Sequence, residues 1–158
     1  MVVNEMTKQE CGAFLANASL GRLGCSLDNQ PYVVPIYFVY EPENIYIFST
    51  FGQKTEWMHL NPKVCLEVDE IVNQSQWVSV LVTGRYQELT EPRYTDEREH
   101  ARSLLETRHQ WWLNALGERQ LRLGDHSIAP LFFRIHIDSM TGVRAIDESS
   151  DSIKAPRE

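Results

Sequence analysis

Cysteine is scarce in this chain: Cys11, Cys25 and Cys65 are all it has, and no two stand as C-x-x-C. An odd number at wide spacing argues against a disulfide framework and a zinc ribbon, and fits a reducing compartment. Basic charge is also short. Lys plus Arg is 15 against 22 for Asp plus Glu, a net charge of −7, whereas a protein that grips nucleic acid by neutralising phosphates needs a basic face. Long apolar runs are missing, so nothing approaches the roughly 18 continuous residues of a membrane span. The opening MVVNEMTKQE has acids and amides where a signal peptide needs a basic patch followed by an apolar stretch. The expectation is a soluble, cytoplasmic protein with neither nucleic acid nor membrane as partner.

What is present is enough for one domain. A chain of 158 residues, 42% apolar and 23% charged, can bury a core without staples. Thr7-Lys8-Gln9-Glu10 fits a capping box, and Cys11, Phe14, Leu15 and Ala18 then recur on one face of a short helix. From Gly21 the period becomes two, with Leu23, Cys25 and Leu27 on one side. The turn cluster Asp28-Asn29-Gln30-Pro31 leads into Tyr32 to Tyr40, dense in β-branched and aromatic residues. After Glu41-Pro42-Glu43-Asn44 comes a strand from Ile45 to Thr50. A short helix follows from Gly52 to Asn61, ended by Pro62, with Trp57, Met58 and Leu60 for burial.

Val64 to Asp69 and Trp77 to Tyr86 read as strands, Gly84 marking a bulge or bend. Thr95 to Leu116 reads as a charged helix with Ala101, Leu104, Leu105, Arg108 and Trp112 on one side. Gly117 and Gly124 bracket a loop before a sixth strand, Leu131 to Ile137. The expected fold is mainly β: a small barrel of six antiparallel strands with peripheral helices, occupying residues 1–146, with a polar tail over 147–158.

The most informative stretch for chemistry is Ser49-Thr50-Phe51-Gly52-Gln53-Lys54-Thr55. A strand ends in two hydroxyls, a glycine permits a tight turn, and a lysine sits in the first turn of the next helix. Helix N-termini favour anions, and the macrodipole places lysines at the other end. Lys54 is therefore explained if it faces a phosphate; the plainer reading is a solvated lysine after a β-turn. The Walker spacing is absent. His59, His100, His109, His126 and His136 form no metal-binding pattern. Glu67 and Asp69 share a strand face, which suits acid/base work or, more plainly, solvation. Trp111-Trp112 suits a ligand wall or packing against the barrel or a partner. No nucleophile elbow or Cys–His pairing is present, so any chemistry would come from a cofactor.

Five pieces in order resemble the FMN-binding split-barrel family related to pyridoxamine 5′-phosphate oxidase, especially its short branch that includes nitroimidazole-resistance reductases. They are Leu20 to Gly24, Pro31 to Tyr40, Ile45 to Thr50 with Gly52-Gln53-Lys54, Asn61 to Glu70, and Trp77 to Arg85. The resemblance implies a six-stranded antiparallel split barrel, a homodimer, and FMN in a groove between subunits. By that likeness, Lys54 with Ser49, Thr50 and Gln53 would hold the FMN phosphate. Val34, Pro35, Ile36 and Tyr37 would run along the flavin ring, and Trp77 and Ser79 would lie where the next strand approaches it. Two departures stand out. Gln53 stands where close relatives often carry Arg or His, so one charge on the phosphate is expected to be missing. The Arg-rich C-terminal motif of the vitamin B6 oxidases is replaced by Thr141-Gly142-Val143-Arg144-Ala145, so that activity is not expected.

The function that follows is an FMN-dependent oxidoreductase. It would pass electrons from a reduced nicotinamide to a small electron-poor acceptor, a nitroaromatic or a quinone, with no catalytic side chain assigned. Two rival readings are a flavin-binding module without turnover and a haem protein using His59, His126 or His136.

Overall fold

The computed structural model describes residues 1–108 and 130–148. Thr7 opens the first helix as anticipated: its Oγ1 accepts from the Glu10 N–H at 3.2 Å, and Glu10 Oε2 accepts from the Thr7 N–H at 2.8 Å. This reciprocal cap starts α1 (Lys8–Asn17) and turns Cys11 and Leu15 into the interior, where neither keeps any exposure. Ahead of it lies a strand absent from the sequence reading, β1 (Val2–Met6), which pairs with the end of the last strand.

β2 (Leu20–Leu27) and β3 (Gln30–Tyr37) form a hairpin closed by Asp28 and Asn29, at φ 49° and 64°. Two consecutive positive φ values give a turn whose twist matches the flanking strands, and Asp and Asn tolerate that conformation. The apolar run expected as one strand from Tyr32 to Tyr40 breaks after Tyr37. Buried Phe38 donates its N–H to the Ser19 carbonyl at 3.0 Å, and β4 (Val39–Glu41) starts a new pairing with β5 (Asn44–Thr50).

The chain continues through α2 (Gln53–Leu60), β6 (Lys63–Asn73), β7 (Gln76–Glu88), α3 (Thr95–Glu106) and β8 (Pro130–Ile146). The expected helix from Thr95 to Leu116 is seen as far as Glu106. Trp111, Trp112, Gly117, Gly124, His109 and His126 lie outside the described residues, as does most of the polar tail.

The strands make one antiparallel sheet in the order β3-β2-β6-β7-β8-β5-β4, with β1 added to β8. It does not close by hydrogen bonding: β3 comes up to β5 without pairing. This is the split barrel expected from the sequence, with β1 and β4 raising the strand count from six to eight. Alternation along β5 and β8 assigns each side chain to a face. Ile45 opposite Ile135 and Ile47 opposite Phe133 fill the interior. Tyr46 and Phe132 point out and are covered by Ala101 and Leu105 of α3. Both faces are buried, which is why this strand reads as a continuous apolar run.

Leu60, expected inside, is 67% exposed. An eight-residue helix has room for one inward stripe, and Thr55 and Met58, three apart, take it. Gly84, expected as a bulge or bend in its own strand, lies instead opposite a bulge in β8. Thr83 faces Ser139 and Gly84 faces Ile137, so Asp138 is the extra residue of β8. A Cβ on Gly84 would sit 2.2 Å from the His136 carbonyl oxygen, a close approach that only glycine permits.

Candidate functional site

The stretch singled out in the sequence is the junction between β5, which ends at Thr50, and α2, which starts at Gln53. Ser49 is buried at the end of β5 and Thr50 half-buried. Gly52 is the N-cap of α2 and supplies no side-chain acceptor for the first turn. Thr55, fully buried, reaches back instead: its Oγ1 accepts from the Gly52 N–H at 2.9 Å and donates to the Gly52 carbonyl at 2.8 Å. A Cβ built on Gly52 would meet nothing within 4 Å, so the helix start opens onto free space. Gln53 is exposed there and Lys54 half-buried. An open helix N-terminus, with hydroxyls at the end of the preceding strand and a lysine in the first turn, is the kind of corner that favours an anion.

β3 is an edge strand, paired only with β2. Its other edge pairs with no second strand among the described residues, on the side that comes up to β5. Along it Val34 and Ile36 turn inward, while Pro35 and Tyr37 are exposed on the outer face. α2 is braced against the β2–β3 hairpin: the rings of Tyr32 and Trp57 lie 5.8 Å apart, and Asn61 Nδ2 donates to the Ser26 carbonyl at 3.0 Å. Burial pushes the Cys25 thiol up from its ordinary value and Cys65 adds to this, while the Lys54 ammonium pulls it back. The charge of Lys54 is therefore felt at β2.

Trp77 and Ser79 are elsewhere within this one chain. They lie on β7, three strands from β3 in the sheet order. Register puts them on the same outer face as Pro35 and Tyr37, because Arg22 faces both Pro35 and Glu67, and Asp69 faces Ser79. Ser79 Oγ donates to Glu67 Oε1 at 2.8 Å. Glu67 and Asp69, the carboxylate pair noted in the sequence, are both bonded by Arg22. That ties them into an ion-pair network rather than leaving two free acids. Among the described residues no group of three or more His, Cys, Asp or Glu is placed to hold a metal.

The described histidines are similarly engaged. His59 Nε2 is 2.8 Å from Glu88 and His100 Nε2 is 2.8 Å from Glu41, while His136 is exposed. A second feature went unseen in the sequence. An open concavity of about 630 Å³ lies on the outer side of β2, β6 and β7, with Lys63, Arg85 and Asp138 among its lining residues. The signal was present only as cross-strand register, which a single sequence does not display.

Residues 7–144 match the sequence pattern of the family described as pyridoxamine 5′-phosphate oxidase. The chain belongs to that family. Within it, a Rhizobium meliloti (strain 1021) protein, RA0666, is 42% identical over 143 residues, 90% of this chain and 95% of the relative. The crystal structure of an FAD-binding protein from Mesorhizobium loti is 37% identical. Its TM-score is 0.75, over 93% of this chain and 99% of that one. An FAD-binding protein from Mycobacterium smegmatis is 20% identical with a TM-score of 0.62, over 90% of this chain and 100% of that one. At that identity the likeness speaks for the fold alone. Among the described residues no helix is long and apolar enough to cross a membrane.

Proposed function

We propose that this pyridoxamine 5′-phosphate oxidase relative is a flavin-dependent oxidoreductase whose cradle at the start of α2 grips the phosphate of an FMN unit. The observation that carries the reading is the open N-terminus of α2 with Lys54 beside it. The residues fit a flavin phosphate: backbone N–H groups, the Thr50 hydroxyl and one ammonium would donate to an anion there, joined by the Ser49 hydroxyl if it leaves the Thr50 carbonyl to which it donates at 3.3 Å. Gln53 would add a neutral amide in place of a second charge. Val34 to Tyr37, on the strand edge that pairs with no further strand, would offer backbone groups to the polar rim of the ring, with Pro35 having no N–H to give. The Mesorhizobium loti relative, described as an FAD-binding protein, supports a flavin as the ligand.

A bound flavin would supply two-electron transfer between a reduced nicotinamide and a small electron-poor acceptor such as a nitroaromatic or quinone. The chain's own part is to orient the ring, exclude water and hold the phosphate. The same reading has two copies of the chain pressed together by their outer sheet faces. Trp77 and Ser79 of one copy would then come to the β3 edge of the other, which accounts for their separation within a protomer.

The test is the visible spectrum of the purified protein, before and after flavin is added and the sample desalted. A retained two-banded flavin spectrum is expected, followed by NADH or NADPH oxidation with nitroaromatic acceptors above the rate of free flavin. A colourless protein that releases added flavin contradicts the reading. A retained flavin without turnover would make the protein a flavin carrier, and a Soret band would make it a haem protein.

A further inference from the structure

We propose that the start of α3 carries a binding site for a phosphorylated small molecule, held by Arg93 and Arg134 with Arg98 beside them. The site is separate from the α2 cradle and does not depend on the flavin reading. α3 packs on the outer side of β5 and β8, where Tyr46 and Phe132 meet Ala101 and Leu105. Gln87, at the margin of the cluster, lies eight residues along β7 from Ser79, about 26 Å. A second copy that engages through Trp77 and Ser79 is therefore seated at the other end of that strand.

Two rings and one amide fix the guanidinium groups. Arg93 Cζ lies 5.3 Å and Arg134 Cζ 5.8 Å from the centroid of the Tyr94 ring, and Arg98 Cζ lies 5.0 Å from that of Phe132. A guanidinium set over a ring keeps the N–H groups of its rim for other partners. Arg134 donates to Gln87 Oε1 from Nε at 2.8 Å and from Nη2, while Gln87 Nε2 donates to the Tyr94 hydroxyl. Arg134 is thus oriented by two of its five donors, and three are left over.

What the cluster lacks is negative charge. Among the described residues Arg134 makes no ion pair, although it is half-buried and its hydrogen-bond partner is a neutral amide. A partly desolvated cation is costly until an anion meets it. Arg93 is exposed and, among the described residues, makes neither an ion pair nor a side-chain hydrogen bond. The carboxylates nearby do not make up the difference. Glu91 is 59% exposed and 3.9 Å from Arg98 Nε, a contact that water weakens. The Tyr46 phenol, raised mainly by burial, feels both Glu97 and Arg134, yet Glu97 is not within ion-pair distance of that guanidinium. Asp96 and Glu97 answer the dipole of α3 from its first turn, so the pull on an anion comes from the arginines and not from the helix end. Two forked cations on one ring and a third beside them suit a group with more oxygens and charge than one carboxylate. A phosphate or pyrophosphate has both.

The experiment titrates inorganic pyrophosphate into the wild type and into Lys54→Ala, which silences the α2 cradle, and reads affinity by calorimetry. Binding is expected to persist in Lys54→Ala. Arg93→Ala and Arg134→Gln, each added to that variant, should weaken it at least about tenfold, the scale of one charge-assisted hydrogen bond. Arg102→Ala removes another exposed cation of α3, one paired with Glu106, and should leave the affinity unchanged. Thermal melting checks that each variant is folded, and the exposed Arg93 keeps the test decisive should Arg134→Gln unfold. No binding to the wild type, or loss of binding on Lys54→Ala alone, overturns the site. So does full affinity in the Arg93 and Arg134 variants, or an equal loss on Arg102→Ala. Succinate bound as tightly as pyrophosphate overturns the assignment to phosphate. Each of these outcomes leaves the flavin reading to its own spectrum.

Discussion

Tyr86 puts a hydroxyl inside the barrel and gives it nothing to bond. Its ring packs between His59 and Phe133, centroids 5.3 and 5.0 Å away, and the buried hydroxyl has no hydrogen-bond partner. An unpaired buried donor carries a desolvation penalty, so Tyr86→Phe is expected to raise stability by about 1 kcal/mol, read as a higher urea midpoint. The same burial, helped by the Glu88 carboxylate, pushes the phenol above its ordinary value of 10. Below pH 10 the phenol is neutral in both folded and unfolded chains; above it only the unfolded chain ionises. Stability therefore falls as pH rises past 10, and the phenylalanine variant should flatten that fall. At the flavin cradle, Lys54→Ala should weaken flavin binding at least tenfold, about 1.4 kcal/mol; an unchanged affinity in a fluorescence titration would remove Lys54 from the site. Lys54 was legible in the sequence because a glycine followed by a lysine at a helix start is a local pattern. Tyr86 was not, since its missing partner depends on residues from α2 and β8 that only the fold brings together.

At the scale of elements, the bulge in β8 rests on one glycine. With the His136 carbonyl oxygen 2.2 Å from where a Cβ would stand, Gly84→Ala must push two paired backbones apart. The expected cost is about 3 kcal/mol, the upper end for overpacking, seen as a loss of denaturation midpoint. A midpoint within error of wild type would mean the ladder adapts freely. An irregularity at Gly84 was readable because a glycine inside an otherwise β-branched strand has few other uses, but that the extra residue belongs to β8, at Asp138, was not. α1 was readable from its capping box, and β5 and β6 from their apolar patterns. β1 and β4 were not, for a common reason: each is short and borrows its partner from far away or from across a break. Val2 to Met6 becomes a strand only because β8 runs on to Ile146 and offers an edge. Val39 to Glu41 separates from β3 only because Phe38 is drawn to Ser19. The same limit hid the concavity, whose mouth exists only once Lys63 and Arg85 are in register.

Among the described residues, the outer face of the sheet exposes a group of large apolar side chains to water. Leu20, Val33, Tyr37 and Leu81 are 45%, 66%, 38% and 42% exposed. Their register places them on the same outer side of β3, β2, β6 and β7, around the Arg22, Glu67 and Asp69 network. Exposed apolar side chains set around an ion-pair network on one sheet face are a mark of a surface that meets another protein. A copy of the chain related by a twofold axis can cover it with the same patch. Such a dimer would also deliver Trp77 and Ser79 to the partner's β3 edge, so association and flavin binding should fail together. Leu81→Arg sets a charge in the patch without touching the barrel interior, since Leu81 is on the outer face. Sedimentation should show a dimer for the wild type and a monomer for the variant, with melting of the separated protomer still cooperative. Flavin affinity should drop at least tenfold in the same variant, by loss of the wall that the second copy supplies. A wild-type monomer that holds flavin tightly would mean that the cradle and the β3 edge are sufficient, and that the apolar face serves another purpose.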